Sequence, residues 1–125
     1  MIRDYVVDYL NAFVVSEQLI DGNVSLDRVA EDNYYLYIDK VANLKVWMQS
    51  RFCILYLDLD ERETGKLDKR MSRFYKTCTY NKQYRQIYKG NGYKTEVTFE
   101  FRLYKKEEVD LVLEIVLKFL RGGKK

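Results

Sequence analysis

Histidine and proline are both absent from this chain, alanine occurs only at Ala12, Ala30 and Ala42, and the two cysteines are Cys53 and Cys78. Without histidine there is no imidazole base, no Ser-His or Cys-His nucleophile pair and no histidine metal ligand. Catalysis would have to rest on carboxylates, lysine, tyrosine and two thiols. Neither cysteine has a second one at metal-ligand spacing, which argues against a zinc site. No apolar run reaches the roughly 18 residues of a membrane span, and the N-terminus lacks the basic, apolar and small-residue layout of a signal peptide. The expected setting is a reducing cytoplasm with both thiols free, and no cofactor, metal or membrane association is expected.

A further lack is local. Residues 69–94 contain no acid, whereas Lys69, Arg70, Arg73, Lys76, Lys82, Arg85, Lys89 and Lys94 supply eight cations. Because the whole chain carries a formal charge of +3, everything outside this window sums to −5. Tyr75, Tyr80, Tyr84, Tyr88 and Tyr93 are interleaved with the cations. The chain has 12 tyrosines in all, and with so little alanine the composition reads as the codon bias of an AT-rich genome, for which a virus, phage or mobile element is the expected source.

With 125 residues, 47% hydrophobic and 33% charged, the chain is the size and polarity of one globular domain. A domain of this size buries about two-thirds of the surface its unfolded chain exposes. Residues 1–121 are expected to form a single α+β domain and residues 122–125 a short basic tail.

Ile2, Val6, Tyr9, Leu10 and Phe13 recur at helical spacing, with Asp4, Asp8, Asn11 and Gln18 opposite, which predicts an amphipathic helix over residues 2–20. The Val6-Val7 and Val14-Val15 pairs favour a competing strand over residues 12–20. Ser25 is read as the cap of a short helix ending at Ala30. Residues 34–39 and 44–48 are read as a hairpin. Residues 52–60 are a strand with Cys53, Leu55, Leu57 and Leu59 on one face. A polar loop is expected around Thr64-Gly65-Lys66, and residues 70–80 return as a second strand.

Asn91-Gly92 predicts a two-residue type I′ turn, which needs positive φ at both positions, between residues 83–90 and 93–104. In the latter segment Thr95, Val97, Phe99, Phe101 and Leu103 alternate with polar residues, the mark of a strand with one buried face. Residues 105–120 form a helix with Glu107 and Glu108 in its first turn and Lys118 and Arg121 at its end. Its apolar residues cover most of its circumference. One sheet face cannot bury them all, so the helix must meet either the N-terminal helix or a second subunit. The fold expected is α+β: an antiparallel β-meander of about four strands, with an N-terminal helix and a C-terminal helix packed on one face.

A two-residue loop sets Tyr88 opposite Thr95, Gln86 opposite Val97 and Tyr84 opposite Phe99. Tyr84 and Tyr88 then share the core face, while Arg85 and Lys89 project with Lys94, Glu96, Glu100 and Arg102. A further tight turn at Asn81-Lys82 would bring Lys76 to the same side, and Cys78 would point outward as a passive thiol with no histidine to activate it. The outcome is a cationic face of Lys76, Arg85, Lys89, Lys94 and Arg102 above buried rings. Such a face can contact phosphates but not stack bases, which requires rings and cations accessible together.

The function expected is therefore that of a small non-enzymatic nucleic-acid-binding protein. One alternative is a homodimeric interaction module that takes an acidic protein partner and dimerises through the helix of residues 105–120. Another is a metal-dependent nuclease using Asp58 and Asp60, near Glu61 and Glu63. The commoner role of such carboxylates is to keep a strand edge soluble. Gly90-Asn91-Gly92 lacks the features of a phosphate loop, and Trp47 and Met48 are assigned to the core.

Overall fold

Alternation along one strand organises the interior: Cys53, Leu55, Leu57 and Leu59 all point the same way and are at most 2% exposed. The structure, a computed structural model describing residues 2–20, 23–72, 80–88 and 90–123, places this strand at the centre of a sheet. The elements in chain order are α1 (Ile2–Ile20), β1 (Val24–Ala30), β2 (Asn33–Ile38), β3 (Val41–Met48), β4 (Cys53–Asp60), α2 (Glu61–Met71), β5 (Tyr80–Tyr88), β6 (Tyr93–Leu103) and α3 (Lys106–Lys118). The fold is α+β, with the expected helices at both ends.

The sheet has six antiparallel strands, in the order β1-β2-β3-β4-β6-β5. The first four form a meander. Then α2 carries the chain past the neighbouring position to the far edge, and β5 folds back to insert β6 beside β4. Cys53, Leu55, Leu57 and Leu59 of β4 thereby face Leu103, Phe101, Phe99 and Val97 of β6, each fully buried.

Helix α1 sends Val6, Leu10 and Val14 into this core at four-residue spacing. One member of each valine pair is buried, and that burial offsets the few tenths of a kcal/mol per residue by which β-branching disfavours a helix. The competing strand over residues 12–20 does not form. From α3, Val109, Val112, Leu113, Val116 and Leu117 are buried, followed by Phe119 and Leu120. The Glu108 carboxylate secures its start by accepting the backbone N–H groups of Tyr104 and Lys105. Tyr5 of α1 donates its O–H to Asp110, and the Lys106 ammonium lies 5.3 Å from the Tyr5 ring centroid. Most of the apolar girdle of α3 is buried within the chain, and Leu111 and Ile115 remain half-buried.

Four expectations need correction. Residues 25–30 are not a helix but belong to edge strand β1, because Val24 and Leu26 alternate inward and pair with Ile38 and Leu36. Thr64-Gly65-Lys66 is not a loop but lies inside α2. There Asp60 caps the helix by accepting the Arg62 N–H at 3.0 Å, while Thr64, Leu67 and Met71 are buried at spacings of three and four. Arg70 and Met71 accordingly end α2 rather than begin a strand; residues 73–79 lie outside the described residues. Asn81-Lys82 is not a turn, since these residues pair with Glu100 and Phe99 in the body of β5.

A fifth correction sets the register. Tyr88 pairs with Tyr93, so the β5–β6 connection has four residues, not two, and Tyr84 faces Val97 rather than Phe99. Gly90 takes φ 84°, a conformation that glycine adopts without strain. The two-residue reversal with both φ positive occurs instead at Asp39-Lys40, φ 52° and 68°, between β2 and β3.

Candidate nucleic-acid interface

A shift of two residues preserves the pleat, so Tyr84, Arg85 and Tyr88 stay on their expected faces, whereas Asn81 and Lys82 belong to the strand rather than to a turn. Tyr80, Lys82, Tyr84 and Tyr88 lie on the helix side with Val97 and Phe99; Arg85 lies on the open side with Lys94, Glu96, Glu100 and Arg102. What differs is the cover above the rings. Asp68 of α2 accepts the Tyr80 O–H at 2.9 Å and the Lys82 ammonium at 2.8 Å, anchoring the start of β5. That contact raises the Lys82 pKa. Farther along the strand, Tyr84 is 57% and Tyr88 62% exposed, and Tyr93 on β6 is 72% exposed. The expectation of buried phenols beneath the sheet is overturned: Tyr88 and Tyr93 lie past the β4–β6 pairing, which ends at Asp60 and Glu96, and Tyr84, though opposite buried Val97, is exposed on the outermost strand of the sheet.

The projecting arm carries its rings in order. Tyr88 and Tyr93 are 5.4 Å apart between centroids, tilted by 59°, and the Tyr88 O–H donates to the Gly90 carbonyl at 2.8 Å. Tyr93 went unused in the sequence reading, although a tyrosine next to a turn at the end of an alternating strand is a signal of ring exposure.

On the open face each described cation of the expected site meets a carboxylate. Arg85 binds Glu96, Lys94 binds Asp60 at 2.9 Å and Arg102 binds Glu100 at 3.4 Å. Lys76, Lys89 and also Cys78 lie outside the described residues. Lys45 adds a pair with Asp58 at 3.4 Å. Lys45, Asp58, Asp60, Arg85, Lys94 and Glu96 line a polar groove of about 440 Å³ over β3, β4, β6 and β5, to which Arg102 and Glu100 do not contribute. Beside it, Trp47 is 43% exposed on the open face, contrary to its expected place in the core, whereas Met48 is buried as expected. Trp47 pairs with Ile54, which in turn pairs with Arg102 across the sheet.

The carboxylates proposed for metal chemistry are already engaged. Asp58 accepts the Thr98 hydroxyl at 2.7 Å besides contacting Lys45. Asp60 binds the Arg62 side chain and backbone and the Lys94 ammonium. The Arg62 guanidinium first, then Lys94, holds the Asp60 carboxyl well below the usual carboxylate range. Among the described residues no three His, Cys, Asp or Glu side chains are grouped to hold a metal ion, and no helix is long and apolar enough to cross a membrane. Cys53 is fully buried, and its burial pushes the thiol pKa up to about 12, so the reactive thiolate is suppressed.

Compared with protein-family models, curated proteins and solved structures, the chain matches none of them. The site has to be read from its own chemistry.

Proposed function

We propose that the protein is a non-enzymatic nucleic-acid-binding protein that works through the β5–β6 arm. Tyr84, Tyr88 and Tyr93 offer ring faces to unpaired bases, and Lys76, Arg85, Lys89, Lys94 and Arg102 meet phosphates. The observation that carries this reading is the exposure of the three phenols, 57%, 62% and 72%, on an arm whose strand β5 lies in the acid-free window. The rings are accessible on the helix side of the arm and Arg85, Lys94 and Arg102 on its open side, so bases and phosphates of a single strand would be met on the two faces of one arm. The ion pairs on the open face are compatible with phosphate contact. Exposed pairs contribute only about 0–1 kcal/mol, so a phosphate can replace a carboxylate at little cost.

Fluorescence anisotropy with a labelled single-stranded oligonucleotide and its duplex, across a salt series, tests the reading. The expected result is a preference for the single strand and an affinity that falls linearly with salt on logarithmic axes. Tyr88→Ala should weaken binding by about 1–3 kcal/mol, and Arg85→Glu combined with Lys89→Glu should weaken it and flatten the salt dependence. Absence of binding at low salt, or binding indifferent to salt, overturns the proposal.

A further inference from the structure

Among the described residues, strand β5 bonds to the sheet along one side only, and its other side forms the edge of the sheet. Residues 81–86 are all exposed. The opposite edge, β1, is interrupted: its register shifts between Arg28 and Ala30, and Asp27 and Arg28 are adjacent charges on it. Bulges and charges are the usual protection of an edge against pairing with another chain. By contrast β5 runs nine residues in unbroken register without proline, and its two charges, Lys82 and Arg85, are separated and engaged by Asp68 and Glu96 of its own chain.

We propose that two copies of the chain pair antiparallel through their β5 edges, with the two-fold axis at Tyr84. Tyr84 is the midpoint of Tyr80–Tyr88, so this register uses the whole strand. It sets Tyr84 against its own copy and Tyr80 against the partner's Tyr88, so that every tyrosine of the strand meets a tyrosine. Lys82 falls opposite Gln86 and Arg85 opposite Gln83, which keeps like charges apart. Neighbouring registers lose this match: an axis at Arg85 opposes two guanidiniums, and an axis at Lys82 opposes two ammonium groups. Aromatic pairs across strands stabilise a sheet, and like charges directly opposite destabilise it.

The helices leave room for the partner. Helix α2 reaches β5 through Asp68, at Tyr80 and Lys82, and the two-fold places the second copy of α2 beside residues 86–88. The two contacts are then about six residues apart along the strand, roughly 20 Å, which exceeds the diameter of a helix. The tyrosines of both strands line the floor of a trench between two helical layers on the same side of a continuous twelve-strand sheet. Nothing in this pairing requires nucleic acid.

Sedimentation equilibrium of the full chain, without nucleic acid, from low to high micromolar concentration tests the pairing. The wild type should be dimeric. Tyr84→Lys and Tyr84→Glu each place like charges on the axis, so either variant alone should raise the dimer dissociation constant about tenfold or more. Mixing the two should restore dimers, because lysine then faces glutamate. Unchanged far-UV circular dichroism, expected for a site that is 57% exposed, certifies the fold of both variants. A wild type that stays monomeric, variants that stay dimeric, or a mixture that stays monomeric overturns the proposal.

Discussion

Between Val97 and Leu103, strand β6 pairs with β4 on one side and its core-facing side chains are fully buried, whereas Tyr93 at its start and Tyr84 and Tyr88 on the outer strand β5 are 57–72% exposed. The two regions have the same hydrophobic alternation, and both place their large side chains on the helix side. They differ in what lies beyond the strands. Toward the core β4, α1, α2 and α3 supply neighbours, and toward the tip β4 has already ended at Asp60. Alternation chooses a side of the sheet; only neighbouring elements make that side dry.

The largest expected contrast is in stability. Phe99→Ala, at the fully buried end, should cost about 3–5 kcal/mol in urea unfolding, while Tyr93→Ala, on the same face of the same strand, should stay within about 0.5 kcal/mol. A comparable loss at both positions would mean the arm is covered after all. Asp60, where β4 stops and α2 begins, marks the boundary between the two regions. Removing its cap in Asp60→Ala should cost about 1 kcal/mol. Its pKa is lower in the folded chain than in the unfolded one, so its ionised form favours folding. That contribution is complete above about pH 4, the unfolded value, and is lost as pH falls through the folded value. Acid unfolding monitored by circular dichroism should therefore be less steep in Asp60→Ala than in the wild type. The smallest expected signal is chemical: buried Cys53 should resist thiol reagents at neutral pH in the folded chain and react promptly in denaturant.

The parts that could be read in advance share a strong period. Helix α1 was visible in Val6, Leu10 and Phe13, strand β4 in its leucines, β6 in its alternation and α3 in its apolar girdle and terminal charges. Helix α2 escaped because Gly65 and its polar neighbours resemble a loop, although Asp60 as cap and Leu67 with Met71 at four-residue spacing were available signals. The tight turn was assigned to Asn91-Gly92 on local preference, yet Asp39-Lys40 adopts it without a glycine because the pairing of β2 with β3 holds both residues at positive φ.

For the candidate site, the order of residues alone was enough to assign Tyr84, Arg85, Tyr88 and the β6 side chains to their faces, because the two-residue repeat of a strand survives an even change of register. The linear pattern held no information on which of those side chains water reaches. That depends on where β4 stops and where α2 crosses, contacts between segments distant along the chain. Charge followed the same rule: the acid-free window could be read directly, but the carboxylates that meet its cations come from outside it and were brought there by folding.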